Sequence, residues 1–143
     1  MLKYILKIFK KIKIMLGIGI GIPRMGRITL AIGDTYQGGI IFYLAGSGGL
    51  IAAPADETAS DWGCTGVALS GADGTDIGTG AQNTIDINAT CTETHIAAER
   101  CGDKSLGGYT DWFLPSKDEL DAMHDNLHVA GLGGFASSIY WSS

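Results

Sequence analysis

The chain has 143 residues, a formal net charge of −5, 45% hydrophobic content and 22 glycines. That length holds one domain with an extension, and that much glycine points to a turn-rich, loop-heavy fold and away from a helical bundle. Lys3, Lys7, Lys10, Lys11, Lys13, Arg24 and Arg27 fall within residues 1–27 with no acidic residue, whereas the remainder sets fifteen acidic residues against Arg100, Lys104 and Lys117, so the body repels phosphates and nucleic acid is excluded as its partner.

Residues 1–16 read MLKYILKIFKKIKIML. Lys3, Lys7 and Lys10 follow helical spacing on one face, and Tyr4, Ile5, Ile8, Phe9 and Ile12 cover much of the rest. The pattern predicts a basic amphipathic segment able to lie on an anionic membrane surface. Two further readings stay open. One is a signal peptide, with a basic n-region and the apolar run Ile14–Ile22 but no small-x-small cleavage site; the other is a translation start at Met15. The run is far short of the roughly 20 apolar residues that cross a bilayer. The alternation Gly17–Pro23, GIGIGIP, suits an extended arm that packs on a neighbouring chain. Residues 1–31 are therefore assigned to an N-terminal arm and residues 32–143 to the domain.

In the domain, Gly39–Leu44 is a continuous apolar, β-rich run. The turn Gly46-Ser47-Gly48-Gly49 follows, and Leu50–Ala53 is the partner strand of a hairpin. Pro54 ends the ladder because it has no N–H to donate. Asp56 to Asp61 reads as a polar loop leading to Trp62, and Gly71–Gly80, GADGTDIGTG, as an irregular one. Gln82–Ala89 predicts a short helix with Ile85 as its apolar contact. A second helix, capped by Thr92 or Thr94 and ended by Gly102, carries Ile96, Ala97 and Cys101 on its apolar face. After the strand around Trp112, Ser116 and Glu119 form a capping box, with Asp118 and Glu119 in the first turn where the helix dipole favours them. Leu120, Met123 and Leu127 continue that helix as an apolar stripe.

Candidate chemistry is sparse. Asp73 and Asp76 flank Gly74, but calcium needs six or more oxygens and the EF-hand spacing is absent, so a structural turn is the preferred reading. GTGAQNT matches neither phosphate-binding glycine pattern. His124 and His128 have the i, i+4 spacing of a zinc pair, yet HExxH is missing and two ligands do not make a site; a polar helix face is preferred. There is no GxSxG and no CxxC. Trp112 and Trp141 alternate with apolar neighbours and are assigned to the core rather than to sugar stacking. Three cysteines allow three pairings: Cys64 and Cys91 lie in loop-rich stretches and pair if the compartment is oxidising, and Cys101 is a buried apolar side chain. No catalytic, cofactor-binding or metal residue is assigned, and the expectation is a protein that is not an enzyme and has no cofactor.

The blocks GDTYQGGIIFYL (Gly33–Leu44), GLIAAP (Gly49–Pro54), WGC (Trp62–Cys64), GTGAQNT (Gly78–Thr84), DWFLPSKDEL (Asp111–Leu120) and GGFASSIYWSS (Gly133–Ser143) occur in an order and spacing that resembles the domain family named after the C-terminal domain of the Legionella collagen-like adhesin, long filed as a domain of unknown function. The resemblance implies an α+β, C-type-lectin-like fold: a mixed sheet with short flanking helices. Family domains run on beyond the YWSS block, so it also implies a domain incomplete at its C-terminal end, with an open strand edge and uncovered apolar faces around Trp112 and Trp141. Self-association is the expected consequence. The function implied is a non-catalytic binding or adhesion module on a bacterial surface, a secreted protein or a phage particle, which contacts glycan or protein through its loops. The acidic body suits polyanionic glycans poorly. The alternative is a structural virion or assembly protein docking through residues 15–31.

Overall fold

A computed structural model describes residues 4–13 and 29–143. Its centre is an antiparallel sheet in which a strand from residues 9–13 lies between a central hairpin and a strand from residues 112–113. Gly39–Ala45 (β4) and Gly48–Ala52 (β5) form the expected hairpin, Ala45 opposite Gly48. The turn is tighter than the four-residue sequence reading, because Gly48 and Gly49 belong to the strand. Thr35–Tyr36 (β3) adds to the outer edge of β4. On the other side of β5 lies Phe9–Lys13 (β2), paired from Phe9↔Ala52 to Lys13↔Gly48. Trp112–Phe113 (β7) closes the sheet against β2, Phe9 opposite Phe113, giving the order β3-β4-β5-β2-β7. Tyr4–Leu6 (β1) pairs separately with Glu57–Ser60 (β6).

This arrangement corrects the reading of the N-terminus. Residues 4–6 and 9–13 are strands, not an amphipathic helix, and they belong to the domain rather than to an arm. Leu6, Ile8 and Phe9 are completely buried and Ile12 is 5% exposed, so the apolar side chains that a surface helix would insert into lipid are in the core. Isoleucine is β-branched and favours a strand buried on both faces, and pairing on two sides outweighs a helical charge spacing. The readings that rest on residues 14–28 (the Gly-Ile alternation, the start at Met15 and most of the docking arm 15–31) lie outside the described residues.

The sheet is covered on both faces. Ile8, Ile12, Ile41, Ile51 and Trp112 face one cluster with Ile87, Ile96, Ala97, Ala98 and Cys101 from the helices Gly80–Thr90 (α1) and Ala97–Gly102 (α2). Phe9, Phe42, Leu50 and Phe113 face the other with Met123 and Leu127, which come from helix Lys117–Met123 (α3) and the π-helical turn His124–His128 that continues it. Phe9 packs against Phe42, ring centres 4.5 Å apart and planes tilted by 47°, and meets Phe113 edge-on at 6.4 Å. The fold is thus α+β, but among the described residues every strand pair is antiparallel, where a mixed sheet was expected.

Other expectations divide. The capping box is complete: the Ser116 hydroxyl accepts from Glu119 N, and the Glu119 carboxylate accepts from Ser116 N at 2.8 Å. Glu119 is fully buried because its other oxygen accepts from Gly78 N at 2.8 Å, tying the glycine-rich loop to α3. The Asp56–Asp61 stretch holds strand β6 instead of being all loop, since β1 supplies a partner. Ile85 is 60% exposed and Ile87 takes the core position. Neither Thr92 nor Thr94 caps α2, whose N-cap is Ile96 without a side-chain bond. Cys64 and Cys91 form a disulfide and Cys101 is free and buried. The apolar face expected to lie uncovered around Trp112 is in the core: Trp112 is 2% exposed and its strand, at the end of the sheet, pairs with β2. The last residues are tied down as well: Trp62 Nε1 donates to Ser142 O, Trp141 Nε1 to Ser60 O and Ser143 N to Pro115 O.

Candidate functional site

A concave site lies where the π-helical turn meets the loop 133–140. Widening the helix at His124–His128 keeps Leu127 in the core while His124 and His128 face solvent, their rings 4.9 Å apart and inclined by 30°. Asn126 Nδ2 donates to Phe42 O at 3.0 Å and pins this turn to β4. The chain then reverses through Gly133 (φ +87°) and Gly134 (φ +60°). A Cβ at Gly133 would meet the Phe135 ring at 2.5 Å, and one at Gly134 would meet Pro54 O at 2.8 Å, so this close approach requires glycine at both positions. Phe135 is delivered edge-on to His128 (5.4 Å) and to Tyr140 (5.9 Å).

The result is a cavity of about 330 Å³, floored by Leu120 and Met123 and walled by His124, His128, Phe135, Ser137, Ser138 and Tyr140. Its size lies at the lower end for small-ligand sites, and its walls mix aromatic faces with hydroxyls and imidazoles.

Behind this wall sits a buried polar group that no sequence motif marks. Lys7, fully buried, follows β1; its Nζ donates to Asp56 Oδ1 at 3.2 Å and to the Gly133 carbonyl, and lies 4.4 Å from the centre of the Phe135 ring. Asp56 Oδ2 accepts from the Tyr140 hydroxyl at 2.5 Å and from Ala136 N at 3.0 Å. Burial lowers the Lys7 pKa below the ordinary lysine value, against the opposing pull of Asp56. Burial, then the hydrogen bond to Asp56, raises that of Tyr140. The sequence signal for Lys7 was its position between two apolar residues, Leu6 and Ile8. Asp56 and Tyr140 are far away in sequence, and nothing local points to them.

His124 and His128 share the cavity rim, and His124 Nδ1 lies 3.2 Å from Asp125 Oδ1. Among the described residues no group of three or more histidine, cysteine or acidic side chains is arranged to hold a metal ion. Asp73 and Asp76 are exposed, and the Asp76 carbonyl accepts from the hydroxyls of Thr79 and Ser116, a turn-fixing role. Trp112 is core and Trp141 half-buried against it. Burial pushes the Cys101 thiol pKa up, which makes it an inert packing group. A second cavity of about 320 Å³, between β6 and α2, is lined by Glu57, His95, Glu99, Arg100, Asp103 and Lys104, with Lys104 paired to Glu57 at 2.7 Å. Among the described residues no helix is long and apolar enough to cross a membrane. No protein-family model, curated protein or solved structure matches this chain.

Proposed function

We propose that the chain is a non-catalytic binding module with a C-type-lectin-like fold, working on a bacterial surface, in a secreted protein or on a phage particle. Its ligand is a neutral glycan, one sugar unit of which enters the cavity between the π-helical turn and the loop 133–140. The observation that carries this reading is the lining of that cavity. Phe135 and Tyr140 offer apolar faces for a sugar ring, and Ser137, Ser138, His124 and His128 offer hydrogen-bonding groups for its hydroxyls. A net charge of −5 favours an uncharged ligand over a polyanionic one. The Cys64–Cys91 disulfide supports an oxidising compartment.

The test is a titration of the full chain with neutral oligosaccharides, followed by amide NMR shifts. Shifts centred on residues 120–140 and their loss in Phe135→Ala are expected. A broad neutral panel without any shift, or shifts confined to the cavity lined by Glu57, Glu99 and Lys104, refutes the reading. Binding of a protein ligand at residues 120–140 in place of any sugar would keep the module and replace its ligand class.

A further inference from the structure

We propose that Lys7 and Asp56 are a self-modifying pair whose side chains condense to an isopeptide bond, joining the N-terminal strands covalently to β6. Four features of the geometry converge on it. The Lys7 amine, shielded from water, is hydrogen-bonded at 3.2 Å to Oδ1 of the carboxyl group whose Cγ it would attack, so the two reactants are already held together. The Phe135 ring at 4.4 Å and the Gly133 carbonyl orient it. Two donors, the Tyr140 hydroxyl and Ala136 N, converge on the other oxygen, Oδ2. Finally, Leu6 and Glu57, next to the two reacting residues, are paired across β1 and β6, so the bridge needs no strand to move.

The chemistry follows from that placement. A proton passes from Nζ to Oδ1 along their hydrogen bond and leaves a neutral amine beside a neutral carboxylic acid. Burial favours this pair, because it holds Lys7 below the ordinary lysine pKa. The Nζ lone pair attacks Cγ, and the negative charge that develops on Oδ2 is held by the Tyr140 hydroxyl and Ala136 N, as in an oxyanion hole. The Cγ–Oδ1 bond then breaks. Oδ1 departs with a second Nζ proton as one water, and Oδ2 becomes the amide carbonyl. An ammonium and a carboxylate are consumed, an amide and a water are formed, and no oxidant or other reactant is needed. The product also replaces an ion pair that is buried at Lys7 and partly buried at Asp56, with its desolvation penalty, by a neutral group. Glu57, the other charge facing Lys7, is held by Lys104 at 2.7 Å.

The intact mass of the full chain, purified folded and then reduced and denatured, decides the matter. It is expected to fall one water, about 18 Da, below the sequence mass, a covalent change that unfolding does not reverse. Proteolysis should release a branched peptide carrying both Lys7 and Asp56. Lys7→Arg and Asp56→Ala should restore the sequence mass, and Tyr140→Phe should slow the loss while leaving the fold. A folded wild-type chain that keeps its full mass after prolonged incubation overturns the proposal. So does a water loss that persists in Lys7→Arg, which would mark a cyclic imide within the Asp56-Glu57 backbone. Should either variant fail to fold, absence of the branched peptide from the wild-type digest overturns it equally.

Discussion

Removing residues 1–14 should unfold the domain rather than free it of an appendage. Four side chains of that segment, Leu6, Ile8, Phe9 and Ile12, are buried at 0–5% exposure. At about 1.5–3 kcal/mol for each, their burial contributes roughly 6–12 kcal/mol, an upper figure because unfolded chains already bury some surface. The loss does not end there. β5 and β7 have no ladder with each other, so deletion opens a strand-wide gap between Ala52 and Phe113 and uncovers Phe42, Trp112 and Phe113. Domains of this size are stable by about 5–15 kcal/mol, so the deletion removes most or all of the margin. Near-ultraviolet circular dichroism melts of residues 1–143 and 15–143 make the comparison, and Phe9→Ala, expected to cost about 3–5 kcal/mol, serves as a graded control. A 15–143 chain that melts cooperatively at the temperature of the full chain would refute this account of the core.

Ser116→Ala should cost about 1 kcal/mol as a lost N-cap, while Glu119→Ala should cost about 3 kcal/mol or more because two backbone donors lose a charged acceptor; urea melts that rank them the other way would show that the box is not what fixes α3. Reducing Cys64–Cys91, 27 positions apart, should destabilise by about 3.5 kcal/mol on loop entropy, read as a lower melting temperature in reductant, and an unchanged melt would place the loop's order elsewhere. Tyr140 has a raised pKa in the fold, so its contribution to stability is full below the ordinary tyrosine value of 10.0 and declines as pH rises beyond it. An uncondensed Lys7, with its lowered pKa, contributes with the opposite slope up to 10.5, so the Tyr140 part is isolated by comparing alkaline stability with Tyr140→Phe, which should lack that decline.

What the sequence made legible was local. The capping box spans four residues, and the hairpin 39–52 is set by neighbouring runs and a glycine turn, so both could be read without knowing the fold. The N-terminus misled because Lys3, Lys7 and Lys10 satisfy a helical spacing, whereas Phe9 to Lys13 is held extended by two strands met only in the tertiary structure. Asp56 to Asp61 looked like loop for the same reason, since the strand within it exists only because β1 pairs with it. Ile87 and not Ile85 faces the core, a phase that α1 leaves unmarked because it has few apolar side chains. The cavity depended on a π-helical turn and on two glycines that admit Phe135, features with no periodic signature. The Lys7–Asp56–Tyr140 group was invisible because its members are 49 and 84 positions apart.

The place of β2 has a consequence for how the chain is made. Ile8, Phe9 and Ile12 leave the ribosome well before the strands that flank them, Gly48–Ala52 and Trp112–Phe113. Lys10 meets Asp111 across 101 positions, and Lys7 meets the Gly133 carbonyl across 126. During most of synthesis this apolar, lysine-bearing segment therefore has no finished site to enter, and the sheet cannot close until Trp112–Phe113 has emerged. Contacts of such long range slow folding and prolong the exposure of apolar strand. The closely spaced lysines, Lys7, Lys10, Lys11 and Lys13, keep the waiting segment charged and discourage its stacking with other nascent copies. The same charges that resemble a membrane address in the sequence thus act as a solubility device while the strand awaits its partners.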